Sequence, residues 1–189
     1  MKNNGTLAVF MLLCTLFPTR AAGIEPNPDN NKSDWLYEIR AGILAHDVDN
    51  LWSGSKKEDG IDLNAEIIFG HPSFSLFSGT MRPSFGLSVN THGDTSKLYS
   101  GLLWEYMTKS SIFLNLGVGV AVHNGELEDS GKEKKQLGSR VLFRIPIEVG
   151  YALNQHHRLS IMFDHISNAY LAHPNEGLDT LGLRYGYRF

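Results

Sequence analysis

The sequence predicts an all-β chain that closes as an eight-stranded antiparallel transmembrane β-barrel of the bacterial outer membrane. Three observations carry this. Apolar and polar residues alternate with period two through most of the chain after Trp35. The polar parity mixes Arg with carboxylates, Gly and Ser, as a narrow filled interior requires. An export segment opens the chain, yet no later apolar run is long enough for a membrane helix.

The 189 residues suffice for one domain, and the net charge of -3 implies no basic surface for nucleic acid. The opening MKNNGTLAVFMLLCTLFPTRAA has Lys2, an apolar run from Leu7 to Phe17, then small residues. That pattern is a secretory signal over 1–21 with cleavage after Ala21, next to an imperfect Arg20. A lipoprotein signal at Cys14 is the weaker alternative, because this Cys sits inside the apolar run. Cys14 is the single cysteine, so the exported chain has no disulfide. Residues 22–34, rich in Asn and Pro, read as a flexible periplasmic leader, and 35–189 as the barrel.

The strands follow in order. WLYEIRAGILA sets Trp35, Tyr37, Ile39, Ala41 and Ile43 against Glu38 and Arg40. IDLNAEIIF opposes Asp62, Asn64 and Glu66 to Ile61, Leu63 and Ile67, and RPSFGLSVN opposes Arg82 and Ser84 to Phe85, Leu87 and Val89. LLWEYM, IFLNLGVGVAV and RVLFRIPIEVGYAL repeat the alternation, with Glu105, Asn115, Arg144 and Glu148 on the polar side. RLSIMFD and LGLRYGYRF complete it, with Arg158, Asp164, Arg184 and Arg188. This gives about eight strands of roughly ten residues, the dimensions of a small outer-membrane barrel. Aromatics at strand ends (Trp35, Tyr37, Trp104, Tyr106, Tyr185, Tyr187) form the expected interfacial girdle. Pro146 removes a ladder donor and predicts a bulge or an unpaired position. A soluble sandwich shares the alternation, but closure satisfies every edge in lipid.

With a periplasmic start, the stretches 46–60, 91–97, 124–138 and 169–178 fall outside the cell. Those near 70–80, 108–111 and 154–157 fall in the periplasm. KEKK at 132–135 reads as part of a solvated loop.

One stretch, FDHISNAYLAHPNEGLD, places His165 and Ser167 two residues apart at the end of a strand. Both continue the odd, lipid-facing parity of Leu159, Ile161 and Phe163, and Asp179 shares the parity of Leu181 and Leu183. Residues two apart on one strand face are about 7 Å apart at the backbone, close enough for a hydroxyl to reach an imidazole. A carboxylate on the neighbouring strand can then fix the ring tautomer. Polar groups on a lipid-facing wall are costly, so a cluster there asks for a function. The plainer alternative is a rim position where these side chains meet head groups and water. The remaining histidines lie in loops or at strand ends without metal-ligand spacing, so no metal or cofactor is expected.

The segment His165-x-Ser167-Asn168-Ala169, followed by Pro174-Asn175 and an acidic residue opening the last strand, resembles the lipid A 3-O-deacylases, the PagL-type outer-membrane enzymes. The resemblance covers roughly the last 25 residues. It implies an esterase that removes the 3-O-linked acyl chain of lipid A at the outer leaflet. Ser167 would be the nucleophile, His165 the base and acid, and Asn168 an oxyanion-stabilising residue. The family's third member is typically Glu. Counting along the motif gives Asp179, one methylene shorter, with Glu176 in the turn as the alternative acid. Lipopolysaccharide and outer-membrane lipids are the implied partners, and a homodimer stays open. The rival functions are a non-enzymatic structural or adhesive barrel and an acyltransferase barrel. The first does not need a lipid-facing His–Ser pair, and the second calls for a site in a lined interior, whereas the polar parity here fills the interior with charge pairs.

Overall fold

The computed structural model describes residues 35–128 and 133–189. The signal and leader expected over 1–34 lie outside the described residues, as does Lys132 of the KEKK run. Nine strands follow in chain order: β1 (Leu36–Ala45), β2 (Ile61–Phe69), β3 (Phe74–Leu76), β4 (Gly79–Asn90), β5 (Lys97–Met107), β6 (Ile112–His123), β7 (Val141–Ala152), β8 (His157–Ser167) and β9 (Leu178–Arg188). Strand β3 is a three-residue spur paired only with the start of β4, while β2 pairs β4 directly. Eight strands therefore make the wall. It closes where β1 meets β9, with Ile43 opposite Leu183.

Alternation dictates the two faces. Ile43, Val118, Ile161 and Leu183 stand exposed on the outside. The opposite parity is sealed, and much of what it seals is charged. Arg40, Lys97, Arg144, Arg158 and Arg184 interleave with Glu38, Glu66, Glu105, Glu148 and Asp164. Arg144 Nε lies 2.7 Å from Asp164 and Lys97 Nζ 2.8 Å from the same carboxylate. Arg184 Nη2 lies 2.6 Å from Glu66. Five cations against five carboxylates leave this network neutral, which is what offsets the cost of removing each ion from water. Aromatic rings supply further contacts: the Arg144 guanidinium stands 3.6 Å from the Tyr99 centroid.

Two local features refine the sequence reading. Between Leu36 and Glu38 the β1–β2 register shifts. That bulge turns Tyr37 away from the girdle assigned to it and into the interior, where its hydroxyl donates to Glu105. Arg82 and Arg188 stack over its ring. Pro146 behaves as expected. The β6–β7 ladder runs to Leu116 opposite Ile147 and resumes at Gly119 opposite Arg144, leaving the intervening positions unpaired.

The connections segregate. Loops 46–60, 91–96, the described parts 124–128 and 133–140 of the next, and 168–177 gather at one end of the barrel, and 70–73, 108–111 and 153–156 at the other. The first group frames the His165 region.

Candidate active site

Strand β8 carries the first two residues. Asp164 and Ile166 point inward and are fully buried, so His165 and Ser167 project from the opposite side, the side of Leu159 and Ile161. Asp179 is the direct ladder partner of His165 on β9. Side chains that face each other across a ladder are close enough for the short Asp to suffice.

The hydrogen bonds follow from that register. His165 Nδ1 lies 2.6 Å from Asp179 Oδ1, and His165 Nε2 lies 3.0 Å from Ser167 Oγ. A carboxylate only accepts, so Nδ1–H donates to Asp179 and leaves Nε2 to accept the serine hydroxyl. This tautomer lets imidazole withdraw a proton from the hydroxyl. Glu176 is elsewhere. Its carboxylate accepts from Lys57 Nζ and from the Gln136 backbone N–H, tying two loops together. The carboxylate bonded to His165 is that of Asp179.

Asn168 also differs from expectation. Its side-chain amide donates to Leu137 O at 3.0 Å and to Pro174 O at 2.8 Å, so both carbonyls have claimed the group assigned to an oxyanion. The residue is buried, and its backbone N–H donates to Asn175 Oδ1. Its geometry is that of a clamp between the β6–β7 loop and the turn after Ser167. Gly138 makes the clamp feasible: its φ is +68°, and a Cβ there would stand 1.9 Å from Pro174 O.

A second loop completes the surroundings, one the sequence did not flag. Residues 46–60 fold over the outside of the β8–β9 hairpin. Val48 N–H donates to Asp179 O at 3.0 Å, and Ser53 N–H to Asp179 Oδ2 at 2.6 Å. Trp52 then lies nearly flat on His165, with ring centroids 4.5 Å apart and planes 17° from parallel. The consequence is that His165 is only 6% exposed although it projects from the outer wall. The available signal was the apolar Leu51-Trp52 pair, which with Val48 interrupts a polar stretch.

This loop is itself anchored from within. Asp47 Oδ2 accepts the N–H groups of Lys57 and Glu58. The buried Glu58 carboxylate accepts from Thr95 N–H, Thr95 Oγ1 and Lys135 N–H. His46 sits between two acids, Nδ1 2.7 Å from Asp62 and Nε2 2.9 Å from Glu58. Burial is the strongest influence on His46 and pushes its pKa down, but the bonds to Asp62 and Glu58 outweigh it and leave the imidazole above its usual value. Lys135, read as part of a solvated run, is 1% exposed and ties the loop through Ser55 O at 2.7 Å and Asp47 at 3.2 Å. A long stem lets Lys reach inward from a loop that composition marks as polar. Among the described residues, no group of three or more His, Cys, Asp or Glu could hold a metal ion.

The family model described as lipid A 3-O-deacylase (PagL) matches residues 79–188, which include every site residue except those of the 46–60 loop. The lipid A deacylase PagL of Bordetella bronchiseptica is 29% identical over 87 residues, 46% of this chain. The match spans about half the length of that relative, 47%. Among solved structures, the crystal structure of the outer membrane enzyme PagL superposes with a TM-score of 0.60 at 20% identity, covering 80% of this chain and 99% of that one. At that identity the likeness speaks for the fold. The family match spans more than half of the sequence, and this chain belongs to the lipid A 3-O-deacylase (PagL) family.

Proposed function

We propose that this barrel hydrolyses the ester that links the 3-hydroxyacyl chain to position 3 of lipid A, with Ser167 as nucleophile. The observation that carries the reading is the unbroken chain of hydrogen bonds from Ser167 Oγ through His165 to Asp179. Ser167 Oγ attacks the ester carbonyl as His165 Nε2 takes its proton, and Asp179 holds the imidazolium that forms. His165 then returns the proton to the departing sugar oxygen, leaving an acyl-enzyme. Water, deprotonated by the same imidazole, releases the 3-hydroxy fatty acid and restores Ser167.

Asn168 supports this chemistry by fixing the turn that follows the nucleophile, so the oxyanion relies on backbone N–H groups held by that turn. The wall position suits the substrate. Lipid A is anchored in the outer leaflet, and an ester carried there reaches an outward-facing serine by lateral diffusion, without leaving the membrane. The loop-bearing end of the barrel is accordingly the extracellular end. The charge-filled interior offers no room for an acyl chain, which disfavours a donor site inside the barrel. The adhesive alternative leaves the Ser167–His165–Asp179 relay without a use.

Mass spectrometry of lipid A from cells expressing the chain tests the proposal. Loss of one 3-hydroxyacyl group is expected, and Ser167→Ala should abolish it. Unchanged lipid A in cells where the folded barrel reaches the outer membrane would overturn the reading.

A further inference from the structure

Both nitrogens of His165 are engaged, by Asp179 on one side and Ser167 on the other, so any further influence on the ring must act through its faces. Trp52 covers one of them at 4.5 Å, and Phe163 extends the stack at 6.4 Å from Trp52. The placement is enforced. Two N–H groups of the same loop, from Val48 and Ser53, bond Asp179 and fix Trp52 between them in sequence. Trp52 is half-covered in this position and keeps 44% of its surface exposed.

We infer that Trp52 is a positioning residue that favours the transition state by stacking on the positive charge that develops on His165. The inference rests on Ser167 and His165 acting as a nucleophile–base pair. In the resting tautomer the ring is neutral and gains little from the indole quadrupole. When Nε2 accepts the serine proton the ring becomes a cation within about 6 Å of an aromatic face, the condition for a cation–π attraction, and Trp is the strongest partner. An interaction present in the charged state and weak in the neutral one accelerates the chemical step. Trp52 lies outside the matched span 79–188, so the β1–β2 loop adds this device to a site that the rest of the barrel builds.

Fluorinated tryptophan supplies the test, because successive fluorines drain the quadrupole while nearly preserving ring shape. The chain holds three tryptophans, so the series is made with Trp35→Phe and Trp104→Phe to confine the label to position 52. The readouts are hydrolysis of lipid A and covalent labelling by a long-chain alkyl fluorophosphonate. In labelling, the Ser167 Oγ–P bond forms, fluoride leaves and the serine proton passes to His165. Barrel folding is monitored separately by heat-shifted gel mobility.

The maximal labelling rate should fall stepwise with fluorine number, and Trp52→Leu should lose about tenfold, the scale of a partly desolvated cation–π contact. The half-saturating probe concentration should stay constant. A flat fluorine series, with or without a loss in Trp52→Leu, would overturn the inference and reduce Trp52 to packing. Graded labelling of Ser167 alongside intact lipid A would uphold Trp52 and reject the substrate. Absence of labelling in the folded, unsubstituted chain would remove the nucleophile, and the inference with it.

Discussion

His165 and Asp179 face each other directly across the β8–β9 ladder, and their side chains meet at 2.6 Å. This register answers the concern that Asp is a methylene shorter than the Glu typical of the family. An acid displaced along the strand would need the extra length, and one that is the cross-strand partner does not. Asp179→Asn should therefore fold normally and lose about 10³–10⁴ in rate, since an amide no longer enforces the productive tautomer. Glu176→Gln weakens a partly exposed pair with Lys57 and a backbone bond from Gln136, both away from His165, and should stay within about fivefold of the parent. Assays of 3-hydroxy fatty acid release from lipid A by the two variants check this, and a silent Asp179→Asn would unseat Asp179.

The clamp at Asn168 predicts that the same defect can be produced from a distance. Asn168→Ala leaves the carbonyls of Leu137 and Pro174 without their donor, at a cost of about 1–3 kcal/mol for each buried group left unmet. Gly138→Ala never touches Ser167, but its Cβ would collide with Pro174 O. Both variants should lose most of their activity while the barrel still folds, Asn168→Ala with a lowered unfolding midpoint that reflects the two unmet carbonyls. Full activity in Gly138→Ala would mean that the clamp does not hold the site.

These contrasts mark what the sequence could disclose. Period-two alternation states which face each side chain takes, so the outward parity of His165, Ser167 and Asp179 and the charged interior were legible from position alone. Alternation fails where the register shifts, as at Tyr37. It is silent about loops. Nothing in the local pattern near residues 46–60 or 133–138 shows that Glu58 will meet Lys135, or that Trp52 will cover His165, because these contacts join segments with no periodic relation. Lys135 shows the consequence: a charge run normally means solvent, and here one member is a buried strut.

The interior network makes a stability prediction independent of the site. Glu66 is nearly inaccessible and pairs with both Arg144 and Arg184. Glu66→Gln leaves the sealed interior with a net positive charge and should destabilise the barrel by about 3–5 kcal/mol, the usual result of removing one member of a buried pair. Urea unfolding in lipid vesicles would measure it. A change under about 1 kcal/mol would indicate that water reaches the lumen and screens these ions.

The anchor under the 46–60 loop should respond to pH in a direction fixed by its geometry. His46 faces a carboxylate from each ring nitrogen, so the native contact requires the imidazolium. Burial lowers the His46 pKa, but the bonds to Asp62 and Glu58 raise it more, and the net shift is upward. Glu58 is the converse: burial raises its pKa, and bonds from His46 and Thr95 bring it below the usual value. A raised imidazole contributes stability that is complete below its unfolded value, about 6.5, and is lost as pH climbs through the folded one. A lowered carboxyl contributes above its unfolded value, about 4.3, and its contribution is lost as pH falls through the folded one. The two overlap fully at roughly pH 5–6. Lys135 and Asp47, paired with each other, also face this cluster, and His123 lies within electrostatic reach of Glu58. Hydrogen exchange at the Ser53 amide, the donor to Asp179, should be slowest in that interval after correction for intrinsic rates. Exchange should accelerate on the alkaline side, and His46→Gln should abolish that alkaline limb by removing the charge. Protection that stays level from pH 5 to 9 in the unsubstituted protein would show that the loop is held by its other bonds, leaving His46 without a share in holding Asp179.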